Sequence, residues 1–147
     1  MKARAKRGVA AAAVVVSVLA AVASGSGSSA ALPAGLRAFG PSRMAYVLAR
    51  LAPEVLFATE KEADTLAVPL ESLAQVPVLK RGALGCRVFG RDIAAPDVPT
   101  IDPTGAGDAF AAAFCVAWLR GAQPVEAAES AVTAASRSVS LVGARPS

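Results

Sequence analysis

Apolar positions along the chain change their spacing several times, and each change marks an element. Over residues 41–51, Met44, Val47, Leu48 and Leu51 fall on one stripe behind Pro41, which suits the first turn of a helix ending near Leu51. Residues 53–58 form a short apolar run broken only by Glu54, the pattern of a buried strand. Thr59-x-x-Glu62 follows it. At this spacing a Thr hydroxyl takes the backbone N–H three residues on and the Glu reaches back, so a capped helix is predicted to start there. Residues 75–80 predict a strand with Pro77 near its start, where a missing N–H is tolerable. Gly82 and Gly85 then bracket a tight turn, and residues 86–90 return with partial alternation, which reads as a β-hairpin. Residues 92–100 contain Pro96 and Pro99 and read as a connector. Residues 109–119 hold no Gly or Pro, and Phe110, Phe114 and Trp118 recur every fourth position on one face of a predicted helix. Gly121 suits its C-terminal cap. Pro124 opens a last helix, residues 125 to about 141, with Ala127, Ala128, Ala131, Ala134 and Ala135 along it. Strands alternating with helices predict an α/β layered fold with a largely parallel sheet.

The first 31 residues read two ways. Lys2 to Arg7 is basic, residues 8–23 are uncharged and apolar, and Ala21-Val22-Ala23 has the small-x-small form of a cleavage site, the layout of a secretory signal peptide cleaved near Ala23. The same stretch contains Val14-Val15-Val16-Ser17-Val18-Leu19, which reads equally as a buried parallel strand. The run is short for a spanning helix, so no stable membrane anchor is expected. Residues 24–40 are rich in Gly, Ser and Ala and read as a flexible loop.

Composition removes several classes of function. The 147 residues suffice for one sizeable core. Lys2, Arg4, Lys6 and Arg7 account for the whole formal charge of +4, so the rest of the chain is neutral and no nucleic-acid partner is expected. With no histidine and only Cys86 and Cys115, widely spaced, neither a Cys/His zinc site nor a Ser-His-Asp triad can be built.

The candidate chemistry lies in Ile101-Asp102-Pro103-Thr104-Gly105-Ala106-Gly107-Asp108-Ala109-Phe110. A Gly-Ala-Gly turn at a helix start presents unpaired N–H groups and a positive dipole end to an anion. Asp108 stands beside that anion site, where a carboxylate repels phosphate. General-base work on an incoming hydroxyl gives it a reason to be there.

Asp102 to Phe110 resembles the C-terminal signature of PfkB-type, ribokinase-like carbohydrate kinases, usually Asp-Thr-Thr-Gly-Ala-Gly-Asp-Ser/Ala-Phe, with Pro103 departing from it. The resemblance extends to Thr59-x-x-Glu62, where the family carries Asn-x-x-Glu. It also takes in residues 78–85, similar to the family's Val-(Thr/Lys)-Leu-Gly-Ala-x-Gly loop, and the Val142-Gly143-Ala144 ending. It implies a ribokinase-like fold that is incomplete: residues 32–147 as the nucleotide-binding region, and 1–31 as an apolar segment outside it. It implies ATP and Mg²⁺ as cofactors and a sugar-like small molecule as substrate. Asp108 is the implied catalytic base, and Gly105, Ala106 and Gly107 the implied anion hole. Lys80, Gly82, Ala83, Gly85, Thr104, Ala135 and Gly143 would contact nucleotide, and Glu62 would reach the metal through water. Asp102 is expected to orient the turn, and Arg81, at a usually apolar position, to add charge near the phosphates or point to solvent. Whole family members are about twice as long, and their Gly-Gly-x-x-x-Asn-type sugar signature is not visible here. The expectation is a truncated or split cytoplasmic kinase whose partner is a second copy or the missing N-terminal half. The alternative is a non-catalytic, exported nucleotide-binding remnant.

Overall fold

The computed structural model describes residues 13–15 and 41–141. In chain order the strands are β1 (Ala13–Val15), β2 (Val55–Thr59), β3 (Val76–Lys80), β4 (Cys86–Val88) and β5 (Arg91–Ile93). The helices are α1 (Pro41–Leu51), α2 (Glu60–Leu66), α3 (Ala106–Leu119) and α4 (Pro124–Val139). The strands form one sheet in the order β1-β2-β3-β4-β5. β1, β2 and β3 run parallel, while β4 and β5 turn back antiparallel at one edge, so the α/β sheet is mixed.

Side-chain alternation along β2 divides the core into two layers. Val55 and Phe57 point to the face covered by α3 and α4, with Val76, Val78, Cys86, Val88 and Ile93 from the other strands. Leu56 and Ala58 point to the opposite face, where Ala45 and Leu48 of α1 and Leu66 of α2 cover them. A parallel strand buried on both faces must read as a continuous apolar run, which is why residues 53–58 show no period of two. Phe110, Phe114 and Trp118 share one buried face of α3, as expected, and that face packs on the sheet. Phe57 packs edge-on against Phe110 and Phe114, at ring-centre distances of 6.0 and 5.1 Å, and Phe114 stacks on Trp118 at 6.3 Å.

Several boundaries differ from the sequence expectation for identifiable reasons. α3 begins at Ala106, three residues early, because Gly105 takes the left-handed conformation (φ 79°) that turns the chain into the helix. It ends as expected at Gly121. There Gly121 N–H donates to the Trp118 carbonyl and Ala122 N–H to that of Ala117, the paired bonds of a Schellman cap. Leu51, placed on the buried stripe of α1, is exposed at the helix end, and Ala45 takes its place in the core. β5 overlaps the start of the stretch read as connector. Phe89 (φ 50°) and Gly90 (φ 75°) are both left-handed, the two-residue turn that joins tightly twisted strands. Phenylalanine gives no warning of such a turn, since Asn or Asp normally fills that place. Ala13–Val15 is paired with β2; the rest of residues 1–31, including the cleavage-site motif, lies outside the described residues. Among the described residues no helix is long and apolar enough to cross a membrane.

Candidate functional site

The site forms at the carboxyl ends of β2 and β3, the edge at which open α/β sheets bind ligands. Register sets Thr59, the last residue of β2, opposite Lys80, the last of β3. From Thr59 the chain enters α2 through the predicted capping box. Glu62 N–H donates to Thr59 Oγ1 at 3.3 Å, and Thr59 N–H donates to Glu62 Oε2 at 2.7 Å. Glu62 is buried. One of its carboxylate oxygens is therefore committed to the helix start, and among the described residues no group of three or more His, Cys, Asp or Glu side chains could hold a metal.

Lys80 has the same parity as Val76 and Val78, so its side chain leaves the sheet on the α3 face. Its ammonium lies 3.7 Å from the point a Cβ on Gly107 would occupy. Sequence alone shows nothing that joins these residues, which stand 27 positions apart; the resemblance named both but not their meeting. Gly107 is helical, in the first turn of α3, and exposed. Neither its backbone angles nor crowding demands glycine, and glycine in a helix costs roughly 0.5–1 kcal/mol relative to alanine. What glycine supplies here is an uncovered backbone next to a cation. Asp108 follows at the third helical position, also exposed, and makes no ion pair with Lys80.

The turn before α3 is built to present this backbone. Asp102 Oδ1 accepts the Thr104 N–H at 2.8 Å, fixing the turn as expected of it. The N–H groups of Ile101 and Asp102 donate to the Val139 carbonyl at 2.8 and 3.1 Å, tying the turn to the end of α4. Ala106, named for the anion hole, gives its N–H to the Pro103 carbonyl at 3.3 Å, and Ala109 gives its own to Gly105 at 2.9 Å. Between them come Gly107 and Asp108, whose N–H groups have no acceptor within the first turn of a helix.

The remaining expected residues divide. Gly82 (φ 58°) and Ala83 are exposed on a single 3₁₀ turn. Gly85 is needed for packing. At φ 91°, a Cβ on it would come within 2.0 Å of the Ile93 carbonyl oxygen. Thr104 is exposed on the turn, Ala135 of α4 is partly buried against the core between the sheet and the α3–α4 layer, and Gly143 lies outside the described residues. Arg81 neither points to solvent nor offers unmatched charge. Its Nε donates to Glu60 Oε1 at 3.0 Å and its Nη1 to Asp92 Oδ1 at 3.2 Å. Asp92 also receives Arg87 on both oxygens, at 2.6 and 3.0 Å. The Arg87 hydrogen bonds hold the Asp92 carboxyl below the usual carboxylate range, and Asp92 in turn raises Arg87. Beneath this pair Cys86 is fully buried, and burial, then the Asp92 charge, pushes its thiol up to about 11.

A layered α/β body with a bared helix start at the carboxyl edge of its sheet is the architecture of ribokinase-like kinases. The chain matches the pfkB family carbohydrate kinase over residues 36–147 and belongs to that family. No curated protein sequence matches it. Solved structures with this fold include the adenosine kinase of Sinorhizobium meliloti, at 22% identity and TM-score 0.66, over 72% of this chain and 37% of that one. The ribokinase of Thermotoga maritima is 26% identical with TM-score 0.58, over 76% of this chain and 42% of that one. The aminoimidazole riboside kinase of Salmonella enterica, solved with aminoimidazole riboside and an ATP analogue, is 20% identical with TM-score 0.62, over 78% and 45%. The chain thus spans about two-fifths of the length of the kinases whose structures it resembles.

Proposed function

We propose that residues 32–147 form the nucleotide-binding and catalytic-base portion of a carbohydrate kinase, working in the cytoplasm on a sugar-like hydroxyl with ATP. The carrying observation is the Lys80 ammonium set 3.7 Å from the bare Gly107 position, next to Asp108. A cation held at the positive end of a helix is poorly placed unless an anion comes between them, and a terminal phosphate suits that place. The N–H groups of Gly107 and Asp108 and the Lys80 ammonium would hold the γ-phosphate. Asp108 would accept the proton of the attacking hydroxyl, on the exposed side of the turn. Mg²⁺ would come with the nucleotide, as a cation bound chiefly through phosphates and water. When bound it would neutralise phosphate charge; Glu62, largely committed to its cap, would reach it only through water.

Asp108 is exposed, and the chain spans about two-fifths of related kinases. Both support a second element of the reading: the chain binds nucleotide but transfers phosphate poorly alone. Titration of the purified chain with Mg·ATP tests the first part. Lys80→Ala should weaken binding about tenfold or more, whereas Asp108→Asn should leave it unchanged or tighter, since it removes a negative charge beside the phosphate. Equal loss in both variants would refute the assignment of roles. Turnover of common sugars by the chain alone, abolished by Asp108→Asn, would overturn the second part.

A further inference from the structure

Lys80 and Arg81 are neighbours, yet they leave the sheet on opposite faces. Lys80 follows Val76 and Val78 toward α3, while Arg81 follows Leu79 toward the layer that contains α2. On that second face the Arg81 fork joins Glu60, the first residue of α2, to Asp92 in β5. Its backbone anchors the turn as well. Arg81 N–H donates to the Gly85 carbonyl at 2.8 Å, and the Arg81 carbonyl accepts from Leu84 at 3.1 Å. One residue therefore ties together the start of α2, the end of β3, the Gly82–Leu84 turn and β5.

We propose that Arg81 is a positioning residue of the phosphate site: its forked bridge to Glu60 and Asp92 fixes the peptide from which Lys80 reaches Gly107. This rests on the reading of Lys80 and Gly107 as a phosphate cradle. A lysine side chain has many rotamers, and fixing its root narrows the volume its ammonium can visit. Arg81 does not serve the phosphate directly, because two carboxylates already match its charge and it faces away from α3. The planar fork matters, since an ammonium is a single point and cannot span two carboxylates in that geometry.

The test uses the full chain with Mg·ATP titration, hydrogen exchange at the amides of residues 82–85, and a melting curve for each variant. Arg81→Ala, Arg81→Lys and Glu60→Gln should each weaken Mg·ATP by about twofold to fivefold, the range expected of a partly exposed ion network. The double variant R81A/E60Q should bind no worse than R81A, exchange at 82–85 should quicken, and the melting temperature should move little. Tighter binding in Glu60→Gln would overturn the proposal by showing Arg81 to be a phosphate ligand held back by Glu60. Full binding in Arg81→Lys would overturn it by showing that charge suffices. If the parent chain binds no Mg·ATP, the cradle reading itself fails. The exchange measurement then decides the clamp: quickened exchange in R81A supports it, and unchanged protection overturns it.

Discussion

At Gly107 the helical backbone would accept a methyl group, whose nearest neighbour would be the Lys80 ammonium at 3.7 Å. Gly107→Ala should therefore raise stability by about 0.5–1 kcal/mol in urea titration while weakening Mg·ATP binding, an opposition that no purely structural glycine would show. Gly85 is the contrast. Its left-handed φ and the 2.0 Å approach to the Ile93 carbonyl leave no room, so Gly85→Ala should destabilise by about 2–4 kcal/mol on the same scale. Sequence spacing marks both as turn glycines and cannot tell them apart, because what differs is the backbone each one meets. The signature around Asp108 was legible because its chemistry lies in nine consecutive residues. Nothing local in the sequence foretells the Arg81 bridge, because its partners Glu60 and Asp92 are 21 and 11 positions away, and only the sheet brings them together.

Among the elements, those whose signals are local were read well. α1 begins and ends where Pro41 and the apolar spacing put it, and the Thr59–Glu62 box closes as a pair of reciprocal bonds. α2 has only seven residues, too short to hold itself by propagation, so this cap carries much of its stability. Thr59→Ala should cost about 1 kcal/mol in chemical denaturation, and Thr59→Asn should recover most of it, since either side chain can accept the N–H three residues on. α3 shows the limit of pattern reading. Its inner stripe of Phe110, Phe114 and Trp118 was plain, yet Val116 and Leu119 are exposed on its outer side, giving a helix apolar nearly all round. Such a helix announces burial, and periodicity alone cannot say how much of it the chain itself provides. β5 was missed because three residues, two of them charged, show no alternation, and the Phe89-Gly90 turn ahead of it lacks the usual Asn or Asp. Once β5 is in place the Arg87–Asp92 pair follows directly, since the two stand opposite in the register.

For the molecule as a whole, Cys86 offers a probe of opening. It sits between the hairpin and the helical layer, and its thiol is raised to about 11 from an ordinary 9.0. The neutral thiol is favoured in the fold, so this contribution to stability is complete below pH 9 and is lost as pH climbs from 9 through 11. Alkylation of Cys86 in the native chain should stay slow across that range, with its rate rising in parallel with global unfolding. Alkylation at neutral pH as fast as in the denatured chain would contradict the buried environment. Cys115 is partly buried and should react first. The sheet's mixed order also governs how the chain comes together. β3, β4 and β5 follow one another within residues 76–93, and α3 and α4 pack on each other as sequence neighbours. Pairing β1 with β2 instead brings Ala13 beside Val55, residues 42 positions apart in the sequence with α1 between them. Loop-closure entropy favours the short-range pairings first. Among the described strands β1, although it precedes the others in the chain, would then be the last added and the first to let go.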